Sequence, residues 1–215
     1  MRQRSFAVIA TLVFTSILFS VQSAEAQEWE LGIVGKAAPS WKVSSWHQLP
    51  DGKKSLDVTD FKGKVTYLYF FQSWCPGCHA RGFPTLKELN TQYKEDEAVS
   101  FAVIQTTFEG HRTNTAAKLA PTAKKYSLKI PFGQSEGTKG TPDIMRQYRS
   151  GGTPWIVIID KKGVVRYNDF HISVKDASKL INALKLEKVP AAKAKTTRTK
   201  TTTRTKAKTT IKAKK

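Results

Sequence analysis

Cysteine is nearly absent: the 215 residues hold only Cys75 and Cys78, with two residues between them. A pair that close cannot tie distant segments together, so within one chain the fold must be held by its core. Methionine is as scarce, with Met1 and Met145 only, and the histidines other than His79, which are His47, His111 and His171, are scattered. A structural zinc site needs four clustered ligands, and the sequence offers no such set. Acidic residues are missing from Lys193 to Lys215, a stretch with ten Lys and Arg, one Ile and no aromatic residue. Such a segment cannot bury enough apolar surface to offset its chain entropy, so residues 191–215 are expected to be a disordered basic tail. Those ten charges explain much of the formal +19. Without them, and without Arg2, Arg4 and Glu25 near the start, the middle of the chain carries +8.

What is present begins with residues 1–26, which read as an export signal. Arg2 and Arg4 form a positive start, Phe6 to Val21 is apolar, and Ala24-Glu25-Ala26 is a small-x-small cleavage site. The rest of the chain is therefore expected in an oxidising compartment outside the cytoplasm, periplasmic, or membrane-anchored if the signal is retained.

The cysteines sit at the centre of the folded part. An apolar and aromatic run from Lys64 to Phe71 leads through Gln72-Ser73-Trp74 into Cys75-Pro76-Gly77-Cys78, and helical spacing follows with Phe83, Leu86, Leu89 and Tyr93. This is a buried strand that delivers a Cys-x-x-Cys pair to a helix N-terminus. There the free N–H groups and the positive dipole end favour a thiolate at Cys75, and Cys78, one turn on, can attack a mixed disulfide formed at Cys75. Pro84 should kink the helix.

Other elements follow the same logic. Pro50-Asp51-Gly52-Lys53 is a turn between segments that could pair as an N-terminal β-hairpin, and Val99 to Ile104 is a second buried strand. A helix is expected over 114–126, a short strand from Leu128 to Phe132, loop from Gly133 to Gly140, and a short helix from Pro142 to Tyr148. Trp155 to Asp160 is a third buried strand, joined through Lys161-Lys162-Gly163 to a strand over 164–170. Ser173 and Asp176 resemble a capping box opening a last helix that ends before Pro190. Buried strands interleaved with helices make an α/β fold, a central mixed sheet covered on both faces.

The motifs resemble the thioredoxin-fold family and, within it, the exported TlpA-like thiol:disulfide oxidoreductases. The resemblance spans about Gly35 to Leu186. It rests on Gly35-Lys36-Ala37-Ala38-Pro39, Phe61-Lys62-Gly63-Lys64, Trp74-Cys75-Pro76-Gly77-Cys78, Pro84, Gly152-Thr153-Pro154 and Ile159-Asp160-Lys161-Lys162-Gly163. It implies a thioredoxin-like domain over 27–190 and catalytic Cys75 and Cys78. It also implies a substrate-docking surface of Trp74, Pro76, Gly77, Thr153 and a cis Pro154. Trp74 either packs over the disulfide or fills the core. No cofactor or metal is expected. Partners would be exported thiol or disulfide proteins and an upstream membrane dithiol donor.

The chain departs from the family in three places. The step from Cys78 to Pro84 is one residue longer than the family pattern, so the helix should be locally irregular. The positions at which many relatives carry a buried carboxylate hold Tyr69 and Arg81. Proton transfer from Cys78 then falls to water or His79, and His79 and Arg81 become candidates for tuning the thiol pKa.

Competing readings are specific. Cys75-Pro76-Gly77-Cys78-His79 also satisfies Cys-x-x-Cys-His, the attachment site of c-type haem, with His79 as axial ligand. A thiol peroxidase on the same scaffold is the other alternative, although the threonine three residues before its reactive cysteine is missing here. Glu109, His111 and Arg112 form a polar cluster that either lines the site or belongs to a solvated loop. The basic tail suggests contact with anionic membranes or envelope polymers rather than nucleic acid, since the chain is read as exported.

Overall fold

The computed structural model describes residues 30–137 and 140–188. The expected export segment and basic tail lie outside the described residues, among which no helix is long and apolar enough to cross a membrane.

The seven residues of β2 (Val65–Phe71) are all buried, because both faces of the strand are covered. Val65, Tyr67, Tyr69 and Phe71 point to one side, into a core with Phe83, Leu86 and Leu89 of α1 (Phe83–Gln92), Ala123 of α2 (Leu119–Tyr126) and Ile181 of α4 (Val174–Leu186). Leu68 and Phe70 point to the other side, against Trp41 of the N-terminal segment and Ile144, Met145 and Tyr148 in and after α3 (Asp143–Gln147). Alternation along a strand gives each face its own set of side chains. Three helices thus cover one face, and α3 with the N-terminal segment covers the other.

Next to β2 lie β3 (Val99–Thr107), parallel, and β5 (Trp155–Ile159), antiparallel. Outside them are β4 (Phe132–Glu136), parallel to β3, and β6 (Val165–Asp169), antiparallel to β5. With β1 (Ser45–His47) the order is β1-β4-β3-β2-β5-β6, the expected mixed sheet. The turn at Lys161-Lys162-Gly163 joins β5 to β6 as expected, with Gly163 at φ +83°.

Two expectations are corrected. The N-terminal hairpin does not form: β1 pairs antiparallel with β4, Ser45 opposite Gln134, and Val58–Phe61 is a 3-10 turn capped by Asp57. The strand read over 128–132 begins only at Phe132 and runs through Gly133, Gln134 and Ser135, which the sequence placed in a loop. Gln134 and Ser135 are buried, with Gln134 bonded to Gln105 and Thr107 of β3. Gly133 is needed for closeness, since a Cβ there would fall 2.8 Å from Val43 and 2.9 Å from Ile104.

The irregular helix start is present. Cys78–Gly82 is a single π turn, with the Phe83 N–H donating to the Cys78 carbonyl, and regular α1 begins only at Phe83 with Pro84 in its first turn. Residues 76–92 are helical without a break, so Pro84 stands inside the run directly after the π turn, which takes up the extra residue.

Candidate active site

Cys75 and Cys78 are joined as a disulfide with their Cα atoms 5.3 Å apart, at the C-terminal end of β2. Cys78 is fully buried, and Cys75 keeps 6% of its surface exposed. The N–H of Cys78 points at Cys75 Sγ, 3.2 Å away, so the sulfur faces a backbone donor. Such donors stabilise a sulfur anion and lower a thiol's pKa.

The peptide bond between Thr153 and Pro154 is cis. The Thr153 carbonyl lies 3.6 Å from Cys75 Sγ, and the Pro154 ring lies against Gly77, with Cδ 3.4 Å from where a Cβ would stand. Two segments 78 residues apart thus meet at the sulfurs. Pro76 is exposed in the same turn. Trp74 is 48% exposed, so it does not fill the core. Its indole lies over Gly110, which holds φ +59°.

His79 is fastened at both ring nitrogens, Nε2 to the Ser73 carbonyl and Nδ1 to the Tyr126 hydroxyl, each 2.7 Å. A carbonyl only accepts, so Nε2 carries the hydrogen and Nδ1 accepts from Tyr126. The ring is also stacked on Phe83 and Tyr126. With both nitrogens engaged, His79 has none free to take the proton of Cys78 or to ligate a haem iron. Arg81 is exposed and joins none of the ion pairs among the described residues. Tyr69 is buried, and burial holds its hydroxyl well above the ordinary tyrosine range. It stays protonated and donates to the Cys78 carbonyl at 3.2 Å, in contact with Gly82 of the π turn.

Sequence reasoning missed Asn114. Its buried side chain accepts from the N–H and hydroxyl of Ser73 and donates to Gln72 Oε1 and the Glu109 carbonyl. It locks the loop after β3 to the approach to Cys75. Glu109, His111 and Arg112 remain exposed around that anchor, as in a solvated loop. An asparagine at an expected helix start reads as a cap, and nothing in its neighbours reveals a partner forty residues earlier. Phe170, 40% exposed, was missed as well. It packs on Gly151 and Gly152 and gives the Pro154 loop an aromatic shoulder. A cavity of about 650 Å³ lies at the opposite end of the sheet around Lys64 and Val99 and reaches neither cysteine.

Residues 33–184 match the family model described as Redoxin. The chain belongs to the Redoxin family. Among relatives in it, the thiol-disulfide oxidoreductase ResA of Bacillus cereus is 31% identical over 74% of this chain and 83% of its own length. The thiol:disulfide interchange protein DsbE of Pseudomonas aeruginosa is 26% identical over 75% of this chain and 77% of its own. A solved thioredoxin-like superfamily protein superposes with a TM-score of 0.66 at 30% identity, covering 72% of this chain and 99% of that one. The thioredoxin-like fold of this Redoxin chain is thereby settled, with the cysteine pair at its active end.

Proposed function

We propose that this protein is a thiol:disulfide oxidoreductase that exchanges its Cys75–Cys78 dithiol with disulfides of partner proteins. The observation that carries the reading is the disulfide itself, its more accessible sulfur facing the Cys78 N–H and the Thr153 carbonyl. Membership of the Redoxin family and likeness to proteins named thiol-disulfide oxidoreductase support it.

In the reducing direction, the Cys75 thiolate attacks one sulfur of the partner's disulfide and expels the other as thiolate. The Cys78 thiolate then attacks Cys75 Sγ in the mixed disulfide, closes the Cys75–Cys78 bond and releases the partner's second thiolate. Two electrons leave the chain. Trp74, Pro76, Gly77, Thr153 and Pro154 frame the docking surface, and Phe170 extends it. The proton of Cys78 passes to water, since Tyr69 remains protonated and His79 is fully bonded.

The partners are exported thiol or disulfide proteins, recharged by a membrane dithiol donor, and the site of action is the cell envelope. The basic tail contacts anionic membrane or envelope polymers through its charge. The family resemblance favours the reductant role, with a potential nearer about −270 mV than about −120 mV. The decisive test is trapping with partner disulfides. Cys78→Ser should accumulate a covalent mixed disulfide at Cys75, and Cys75→Ser should form none. Equal trapping by both variants, or by neither, overturns the assignment.

A further inference from the structure

A groove of about 340 Å³ opens beside the cysteine pair, between the motif and α2. Ser73, Trp74 and His79 form one wall, and Lys118, Thr122 and Lys125 form the other. No carboxylate lines it. Lys118 and Lys125 are exposed and enter no ion pair among the described residues. Thr113 and Pro121 complete the lining, so the charge in the groove is of one sign. His79 adds no free hydrogen-bonding group, since both its nitrogens are engaged. The groove thus carries two ammonium groups on its far side with no carboxylate against them, that of Lys125 lying 5.4 Å from the centre of the Tyr126 ring.

We propose that this groove receives an acidic segment of the partner polypeptide, the residues next to the cysteine that exchanges with Cys75. The proposal rests on the oxidoreductase reading and adds the substrate class to it. Trp74 directly precedes Cys75, and consecutive residues of a chain stand about 3.8 Å apart. A side chain one to three residues from a cysteine linked to Cys75 therefore reaches the groove. A carboxylate there faces Lys118 and Lys125, while a basic side chain meets like charge. Such an arrangement selects among partners and speeds encounter more than it tightens binding.

The test uses the full chain, reduced, with three symmetric disulfide-linked peptide dimers that differ only in flanking residues: glutamate, serine or lysine. Rate constants for dithiol oxidation are measured by stopped flow across a range of salt. The glutamate dimer should react about 10-fold faster than the lysine dimer at low salt, and the gap should narrow as salt rises. Lys118→Glu with Lys125→Glu should abolish or reverse that order. Lys64→Glu with Lys129→Glu changes the net charge equally at the opposite end of the sheet and should preserve it. Equal rates for the three dimers, or an order that responds the same way to both double variants, overturns the groove and leaves the exchange reaction standing. Failure to reduce any dimer faster than free glutathione overturns the oxidoreductase reading itself.

Discussion

The helix after the cysteines and the helix that closes the domain begin in opposite ways. In α4 the first turn is satisfied from within, the Ser173 hydroxyl accepting from the Asp176 N–H at the N-cap. The helical start at the cysteines has no side-chain cap at Gly77, passes at once into a π turn, and aims the Cys78 N–H at a sulfur. One start spends its donors on stability, and the other keeps them for an anion that forms and vanishes with each cycle. Local rules that hold at α4 are broken at the cysteines, where the chemistry is done.

Substitutions can break this contrast from either side. The largest effect is expected from Gly82→Ala. Alanine normally favours a helix, but here the added methyl would fall on the buried Tyr69 hydroxyl. Unfolding by guanidinium should show a loss of about 3 kcal/mol, partly recovered by adding Tyr69→Phe. A gain in stability would mean that the π turn has room to relax. Next, His79→Phe and Ser173→Ala form a matched pair, each about 1 kcal/mol destabilising. Only His79→Phe should move the reduction potential, measured against glutathione, because only it unties Ser73 from the turn that holds the sulfurs.

The smallest effect lies at the far end of α4. The Lys185 hydrogen bond holds the Asp96 carboxyl below its ordinary range. A lowered folded-state pKa gives stability that is present above the unfolded value of about 3.9 and lost as pH falls through the folded one. Lys185→Met should remove that acid-side slope and a few tenths of a kcal/mol at neutral pH, since the pair is partly solvated. Urea midpoints between pH 2 and pH 6 read it.

Elements carried by an apolar pattern were legible. β2 and β5 stand within a residue or so of where periodicity puts them, and α4 starts at its expected cap though it ends at Leu186, short of Lys188, because their burial is written in residue type. Pro154 and the cysteines lie where the resemblance implied, and the extra residue before Pro84 pointed to a local irregularity, which is the π turn. β4 was not legible. Gly133, Gln134 and Ser135 have the composition of a loop, and their burial depends on partners in β3 that no local window contains. The missing hairpin has the same origin: Ser45–His47 finds a partner some ninety residues away rather than its neighbour across the Pro50 turn. Asn114 is the functional counterpart, a polar residue whose role exists only after the chain has closed on Ser73.

The central place of β2 in the sheet has a consequence for biogenesis. Its β5 neighbour and the Thr153 carbonyl that meets Cys75 come 78 residues or more after Cys75, so a nascent chain holds both thiols before that side of the sheet exists. With no third thiol in the chain, oxidation within one molecule can close only the native pair.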